Sequence, residues 1–402
     1  PPRSTLFPYT TLFRSVSLQS GVLNALDRFA AAAATPILLN LTLITAVLFA
    51  LSSGMDASVA LAWGVALAGV IQFAWLAWRV RVAGMPLGLV RPRLSPRVRQ
   101  LLIRILPVVF GASLYQLNLL IDKIIATLVS VGAVSWLYFA DRVNQLPLGV
   151  IGVGIGVALL PMLSRSIQND NPEEALRAQN RAIEISLVLT LPAAVGLLVL
   201  AHPIAAALYE RGAFTVSDRQ AVGAALAALA AGLPAYVLIK ALVPGFFGRQ
   251  DTATPVKISA VAMIVNIALN LILMRSLGHV GIALATAISA WLNAGLLGVV
   301  LVRRGHLVSD ERLTKRLPRI CLASVAMGAA VWIGLTLLTD TFGSLFGAPG
   351  IASAAELPRA LGLTSLIILG VGVYGGVLLA TGGAALSDFR SLRRTAPTDE
   401  AV

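Results

Sequence analysis

Residues 136–162 read WLYFADRVNQLPLGVIGVGIGVALLPM, an apolar run with a single pair of ionisable side chains, Asp141 and Arg142. About 20 predominantly apolar residues are enough to cross a bilayer as a helix. Nine similar runs occur elsewhere, so the sequence predicts an all-α polytopic membrane protein with about ten transmembrane helices. The predicted spans are residues 33–51, 59–78, 101–129, 136–162, 183–200, 221–244, 256–274, 280–302, 320–338 and 361–381.

The composition of the 402 residues excludes an ordinary soluble enzyme. Hydrophobic residues make up 57% of the chain and charged residues 12%, against about 45–50% and about 25% in soluble proteins. The only cysteine, Cys321, cannot form a disulfide framework or a cysteine-based metal site. No HExxH sequence and no glycine-rich phosphate loop is present. We therefore predict a protein that is not an enzyme.

The positive charge follows the order of the predicted spans. The chain carries 31 Lys and Arg against 18 Asp and Glu, a net charge of +13. If the loop after the second span is cytoplasmic, 20 of the basic residues lie in cytoplasmic segments and 4 lie outside. An excess of basic residues on the cytoplasmic side is typical of membrane proteins. The net positive charge is therefore explained by membrane topology, and no nucleic-acid partner is expected. The same distribution also predicts a cytoplasmic C-terminus.

The first fifteen residues, PPRSTLFPYTTLFRS, do not match the rest of the chain. They contain no initiator Met and lack the charged and apolar regions of a signal peptide. They resemble translated adapter sequence, and we expect them to be non-native. Native sequence is then expected to resume near Val16, within a helix, which would make the chain a fragment.

Ionisable residues inside the spans are candidate functional groups, since each costs about 2.5–3.5 kcal/mol to insert. Asp141, Asn144 and Gln145 share one helix face and predict a polar stripe along a wet cavity. Arg142 is a candidate for substrate contact, whereas Lys240 is equally well explained by snorkelling to the cytoplasmic surface. The interior charges lean basic, which favours an anionic substrate. The candidates are Arg104, Asp122, Lys123, Asp141, Arg142 and Lys240.

Three motifs carry a resemblance to a known family. They are VSWLYFADRVNQLPLGVIGVGIG at 134–156, LPMLSRS at 160–166 and ALVPGFFGRQDTATPVK at 241–257. Together they resemble the MurJ/MviN family of lipid II flippases, part of the multidrug/oligosaccharidyl-lipid/polysaccharide exporter (MOP) superfamily. The resemblance covers residues 21–386 and implies a two-lobe helical bundle, with about ten of an expected fourteen membrane helices present.

The resemblance also implies a domain organisation. After the non-native residues 1–15, residues 16–100 would be the remnant of the N-terminal lobe, with the end of membrane helix four and helices five and six. Residues 101–303 would form the C-terminal lobe, with helices seven to twelve. Two additional helices would occupy residues 317–382, and residues 383–402 would be a cytoplasmic tail.

The function that the resemblance implies is flipping of lipid II from the inner to the outer leaflet by alternating access, in cell-wall biogenesis. Arg142 and Lys240 match basic cavity positions of the family, and with Asp141, Asn144 and Gln145 they form the expected substrate-binding set. Other essential arginines of the family lie in its first two helices, which this chain lacks. We therefore expect the fragment alone to be inactive.

Some family members bind a sodium ion, and the resemblance places that site here at Asp122, Asn266, Asn270, Thr286 and the carbonyl of Ile282. Asn270 stands where the family pattern has Asp, and hard cations prefer charged oxygen ligands. Coupling to protons or to the membrane potential is therefore the alternative, and no other cofactor is expected. The expected partners are lipid II and membrane lipids, with the protein acting as a monomer in the bacterial inner membrane.

Two other classes of function stay open. The first is another MOP exporter, either an O-antigen-type polysaccharide-lipid flippase or a drug antiporter. An antiporter of cations should have an acidic cavity, which the basic interior argues against. The second is a membrane scaffold that transports nothing, for which replacement of Arg142 by Ala should have no effect. An integral membrane enzyme ranks third, because the sequence contains no catalytic constellation.

Overall fold

The computed structural model describes residues 8–26, 28–85, 96, 99, 116–168, 171–342 and 356–383. All regular elements in these ranges are helices, as the predicted all-α fold requires. The chain divides into two compact units, residues 1–99 and 100–402. Three predicted features lie outside the described residues: Arg104, the first half of the span 101–129, and the tail after residue 383.

The first unit is a pair of long apolar helices preceded by two other helices. The first long helix ends at Gly54, whose φ of 69° favours glycine. The second begins at Asp56, whose carboxylate accepts a hydrogen bond from the Ser58 backbone N–H at 2.7 Å. Both long helices are long and apolar enough to cross a membrane, in agreement with the first two predicted spans. The four helices are α1 (Pro8–Ala25), α2 (Phe29–Ala33), α3 (Thr35–Ser53) and α4 (Ala57–Val82).

The second unit contains nine helices among its described residues. Five helical segments there are long and apolar enough to cross a membrane, one of them formed by α9 and α10 together. The helices are α5 (described over residues 116–127), α6 (Ala133–Gln168), α7 (Pro172–Val199), α8 (Ala201–Tyr209), α9 (Val216–Ala230), α10 (Leu233–Phe247), α11 (Ala253–Arg303), α12 (Glu311–Phe342) and α13 (Glu356–Ala380).

The 51 residues of α11 form two antiparallel arms rather than one straight helix. The turn lies at Gly278, whose φ of 56° and ψ of −133° are not helical and favour glycine. The arms pair across it, with Asn266 near Ser289 and Asn293 near Ser259. They correspond to the two predicted spans 256–274 and 280–302.

Helix α7 begins as the sequence predicts but continues further. The Asn171 side chain accepts a hydrogen bond from the Glu174 backbone N–H at 3.1 Å, and Pro172 occupies the first turn. The sequence NDNPEEALR at 169–177 carries a helix-start signal and by itself predicts a short cytoplasmic surface helix. That prediction is wrong, because the structure joins these turns to the following span in one helix. No glycine or proline interrupts the sequence between Arg177 and Ile183, so the surface turns continue into the membrane-length helix.

The loops predicted to be cytoplasmic meet at one end of the second unit. Asn180 of α7 donates to the Val308 carbonyl at 2.7 Å, and Arg304 forms an ion pair with Asp251 at 2.6 Å. Hydrogen bonds from Thr254, together with Arg304, lower the pKa of the Asp251 carboxyl to about 2. These contacts join the loops on either side of α11 to α7.

The loops predicted to be external meet at the opposite end. Trp136, at the start of α6, donates its indole N–H to Asp218 of α9 at 2.7 Å. Arg219 forms an ion pair with Glu210 at 3.0 Å. The same carboxylate lies 3.8 Å from Arg359 of α13. Within this unit, the loops predicted to be cytoplasmic therefore lie at one end and the loops predicted to be external lie at the other.

Candidate functional site

A cavity of about 590 Å³ in the second unit collects most of the ionisable residues predicted inside the membrane. It is bordered by α5, α6, the end of α9 and the second arm of α11. Its walls are mainly apolar, so each charged group faces a setting where electrostatic interactions are stronger than in water. The polar residues that line it are Asp122, Lys123, Ser135, Tyr138, Asp141, Arg142, Gln145 and Thr286.

Arg142 presents an exposed guanidinium group to this cavity. Its Nη2 donates to the hydroxyl of Tyr138, one helical turn earlier, at 2.7 Å. The guanidinium carbon also lies 4.8 Å from the centre of the Tyr138 ring, a cation–π distance. Among the residues that the structure describes, no carboxylate forms an ion pair with Arg142. Its positive charge is oriented but not neutralised.

The predicted polar face of α6 is present in part. Asp141 and Gln145 line the cavity, and the amide of Gln145 donates to the carboxylate of Asp141. Asn144 does not join them, since it is only 2% exposed and is not part of the cavity wall. A residue three positions along a helix is rotated by about 60° from the first, which turns Asn144 into the helix packing. The prediction that all three line one cavity is therefore wrong for Asn144.

Lys240 of α10 lies outside this cavity. Its side chain is half-buried, and its end lies against Gly152 of α6, where an added Cβ would come within 3.0 Å of Nζ. Within the described part of the chain, no carboxylate forms an ion pair with it. Gly152 follows Arg142 by ten residues, or about 15 Å along α6. The two basic side chains predicted to bind substrate, Arg142 and Lys240, therefore lie beside different parts of α6.

The residues predicted to hold sodium form one hydrogen-bonded network. The amide of Asn270 donates to Asp122 at 2.6 Å and to the Asn266 oxygen at 2.9 Å. The amide of Asn266 lies 3.5 Å from the Thr286 hydroxyl. That hydroxyl donates to the Ile282 carbonyl at 2.9 Å. The structure thus brings together all five predicted residues, from α5 and both arms of α11.

Two residues extend the network beyond the predicted set. The amide of Asn118 donates to the second oxygen of Asp122 at 3.3 Å. The hydroxyl of Ser289 accepts from Asn266 at 3.3 Å. Asn118 precedes Asp122 by one helical turn, a spacing that was visible in the sequence. Ser289 could be found only once the arms of α11 were known to be antiparallel.

The donor set fits a hard monovalent cation. Asp122, the Asn amides, Thr286 and the Ile282 carbonyl all offer oxygen ligands. The side-chain oxygens of Asn118 and Asn270 are buried and have no hydrogen-bond partner among the described residues, which is uncommon for buried acceptors. The described residues contain no group of three or more His, Cys, Asp or Glu that could hold a metal ion. Sodium is therefore a better fit than a transition metal, with Asp122 as the charged ligand.

The charge of the cavity differs from the expected basic interior. Lys123 and Arg142 are matched in number by Asp122 and Asp141, so that expectation is wrong for this cavity. Both carboxylates, however, already accept hydrogen bonds from neutral amides. Among the described residues, Arg142 hydrogen-bonds only to Tyr138, so its guanidinium group is available to an incoming anion.

Comparison with known proteins identifies the family. The model of the family "Lipid II flippase MurJ" matches residues 4–352. A probable lipid II flippase MurJ from Rhizobium meliloti is 43% identical over 396 residues, which cover 97% of this chain and 72% of the relative. A probable lipid II flippase MurJ from Vibrio cholerae is 37% identical over 388 residues, covering 96% and 71%.

A solved structure shares the fold. It is a lipid II flippase MurJ in an inward closed conformation, with a TM-score of 0.72 and 22% sequence identity. The match covers 96% of this chain and 73% of that one. This likeness agrees with the predicted all-α helical bundle. With the family match and the two relatives, it shows that this chain belongs to the lipid II flippase MurJ family of membrane transporters.

Proposed function

We propose that the chain binds lipid II, the substrate that its family carries from the inner to the outer leaflet of the bacterial inner membrane for peptidoglycan synthesis. Family membership and the apolar spans support this function. The basic residues of the loops support a cytoplasmic C-terminus, and we propose a monomer. The comparisons favour neither another type of exporter nor a membrane scaffold.

The observation that carries the proposal is the state of Arg142 in the cavity. Lipid II joins its polyprenyl tail to its sugar headgroup through a diphosphate. A guanidinium group binds such oxygens through paired, charge-assisted hydrogen bonds. Arg142 faces the cavity without an ion-pair partner among the described residues, so a bound diphosphate would not have to displace a carboxylate.

The neighbours of Arg142 suggest how the cavity works. Tyr138 holds the guanidinium by its hydroxyl and its ring, which reduces the ordering required on binding. Gln145 holds the carboxylate of Asp141 and so limits its competition for Arg142. A volume of about 590 Å³ is suited to part of a large ligand. We therefore place the diphosphate and the adjoining sugar here, with the tail in surrounding lipid.

Replacing Arg142 by Ala should weaken lipid II binding by about 10- to 100-fold, because a hydrogen bond to a charged group is worth about 1.5–3 kcal/mol. The measurement is the Kd of the full chain in nanodiscs for lipid II, with undecaprenol as the ligand that lacks phosphate. Arg211→Ala is the matched control. It removes the same charge from an exposed arginine that donates to the carbonyls of Ala207 and Leu208.

The expected pattern is weaker lipid II binding by Arg142→Ala, wild-type binding by Arg211→Ala, and intermediate binding by Arg142→Lys. Equal affinity of the wild-type chain for lipid II and undecaprenol would contradict recognition of the diphosphate. Equal affinity of Arg142→Ala and the wild-type chain would contradict the role of Arg142.

We further propose that the Asp122 network binds one sodium ion. Asp122, Asn266, Asn270, Thr286 and the Ile282 carbonyl would hold it, and the ion would neutralise Asp122 beside the cavity. Asp122 and Thr286 belong both to the network and to the cavity wall, so the site adjoins the place where we expect the substrate anion. With one carboxylate, the site should be weaker than one with two.

Asn270→Asp should therefore tighten sodium binding, by about tenfold for each 1.4 kcal/mol gained. Asp122→Asn should abolish it. The measurement is the rise in thermal unfolding temperature on titration with NaCl, with choline chloride at equal ionic strength as the control salt. A response to sodium that is unchanged in Asp122→Asn would exclude the network as the site and leave proton or potential coupling as the energy source.

A further inference from the structure

The side chain of Lys240 lies flat against the backbone of α6 at Gly152. A Cβ added to Gly152 would lie 2.7 Å from Cδ of Lys240, 3.3 Å from Cε and 3.0 Å from Nζ. Real Cβ contacts are almost never as short as the first of these, so the end of the lysine occupies the space that a methyl group would need. Gly152 is buried, whereas Lys240 is half-buried.

Gly152 also continues the polar face of α6 that lines the cavity. It follows Gln145 by seven residues and Asp141 by eleven, spacings that return to within about 20° of the same face. The amine of Lys240 is therefore presented along the line of α6 that begins at the cavity. No described carboxylate forms an ion pair with Lys240. Its amine is therefore a second positive charge on this face of α6, about 15 Å from Arg142 along the helix axis.

We infer that Gly152 is a positioning residue for substrate binding: the absence of its side chain lets Lys240 hold its amine on the substrate-facing side of α6. This inference rests on the proposed function. A lysine is a flexible point charge with a long stem, and its amine can occupy many positions unless the stem is fixed. At Gly152 the α6 backbone fixes it.

A methyl group at Gly152 should displace the amine without unfolding the protein. Its closest contacts are the last atoms of a flexible side chain rather than backbone atoms, so Lys240 can move away at little cost. Gly149, one turn earlier on α6, provides the matched control. A methyl group there meets no described atom within 4 Å, and both substitutions raise helix propensity equally.

The experiment is a double-mutant cycle on lipid II affinity, with the full chain in nanodiscs. Gly152→Ala should raise the Kd by about fivefold to tenfold, the loss expected when one charge-assisted contact is weakened. Gly149→Ala should leave the Kd unchanged. In a Lys240→Met background, Gly152→Ala should have no further effect, because the amine it positions is gone. A substitution that acted only through helix packing would lower affinity in both backgrounds.

A second readout follows the amine itself. The rate at which an amine-directed acylating reagent labels Lys240, measured by mass spectrometry, should change in Gly152→Ala and not in Gly149→Ala. The inference is overturned if Gly152→Ala and Gly149→Ala have the same affinity, or if Gly152→Ala weakens binding equally in the Lys240→Met background. If the wild-type chain binds lipid II no more tightly than undecaprenol, the proposed function fails instead.

Discussion

Replacement of Glu184 by Ala is expected to lower the free energy of unfolding by about 3–5 kcal/mol, the cost of removing one partner from a buried ion-pair cluster. The Glu184 side chain is only 4% exposed. It contacts Arg316 at 2.6 Å, Arg181 at 2.9 Å and Arg312 at 3.1 Å. Alanine would leave three partly buried guanidinium groups without the carboxylate that offsets their mutual repulsion.

This loss should be concentrated where α12 begins. Arg312 and Arg316 lie in its first two turns, and through Glu184 they attach that helix to α7. Hydrogen exchange of the backbone amides at the start of α12 should therefore increase in Glu184→Ala. The α5 residues around Asp122 should exchange as in the wild type, because they take no part in the cluster.

The measurement is unfolding of the full chain in mixed micelles by titration with sodium dodecyl sulfate. Glu173→Ala is the matched control on the same helix. Its carboxylate is 84% exposed and lies 3.9 Å from Arg177, and exposed pairs contribute about 0–1 kcal/mol. Equal unfolding midpoints for Glu184→Ala and Glu173→Ala would show that the cluster does not stabilise the fold.

The membrane spans could be predicted from the sequence because membrane insertion depends on composition over about 20 residues. A single charged pair such as Asp141–Arg142 does not change the outcome for its span. The two arms of α11 were separable for the same reason, and Gly278 provides the tight turn between them. Fold class and the order of the loops are therefore properties of local sequence.

Side-chain direction was less predictable. Asp141 and Gln145 were correctly placed on one face, whereas Asn144 lies about 60° away and is buried. Residue spacing along α6 does not show how wide the cavity is. That width determines whether Asn144 lines the cavity or is buried beside it. The basic-interior expectation failed for a similar reason, since a list of charges does not show which carboxylates already accept hydrogen bonds.

The ion-pair clusters were beyond sequence reasoning. Glu184 and Arg316 are separated by 132 residues, and either could equally have faced solvent. The network at Asp122 was found before the structure only through the resemblance to a family. Its hydrogen bonds join residues 148 positions apart, and no periodic pattern carries that information.

A second carboxylate anchors the C-terminal helices at the opposite end, and its loss should also cost about 3–5 kcal/mol. Glu210, at the end of α8, is 11% exposed. It lies 3.0 Å from Arg219 and 3.8 Å from Arg359, which are 12% and 6% exposed. Glu184 attaches α12 near its start, and Glu210 attaches the first turns of α13. Each helix of the pair is therefore held by one buried carboxylate, at opposite ends of the unit.

Glu210→Gln tests this anchor because it keeps the size of the side chain and removes only the charge. If the cost arises from loss of the Glu210 charge beside the two guanidinium groups, then Glu210→Gln/Arg359→Met should recover part of the stability lost in Glu210→Gln. If it arises from lost packing, the double variant should be less stable than either single one. Unfolding in mixed micelles decides between them. Glu311→Ala is the control, since it breaks a pair with Lys315 whose side chains are 81% and 64% exposed. A Glu210→Gln variant as stable as that control would refute the anchor.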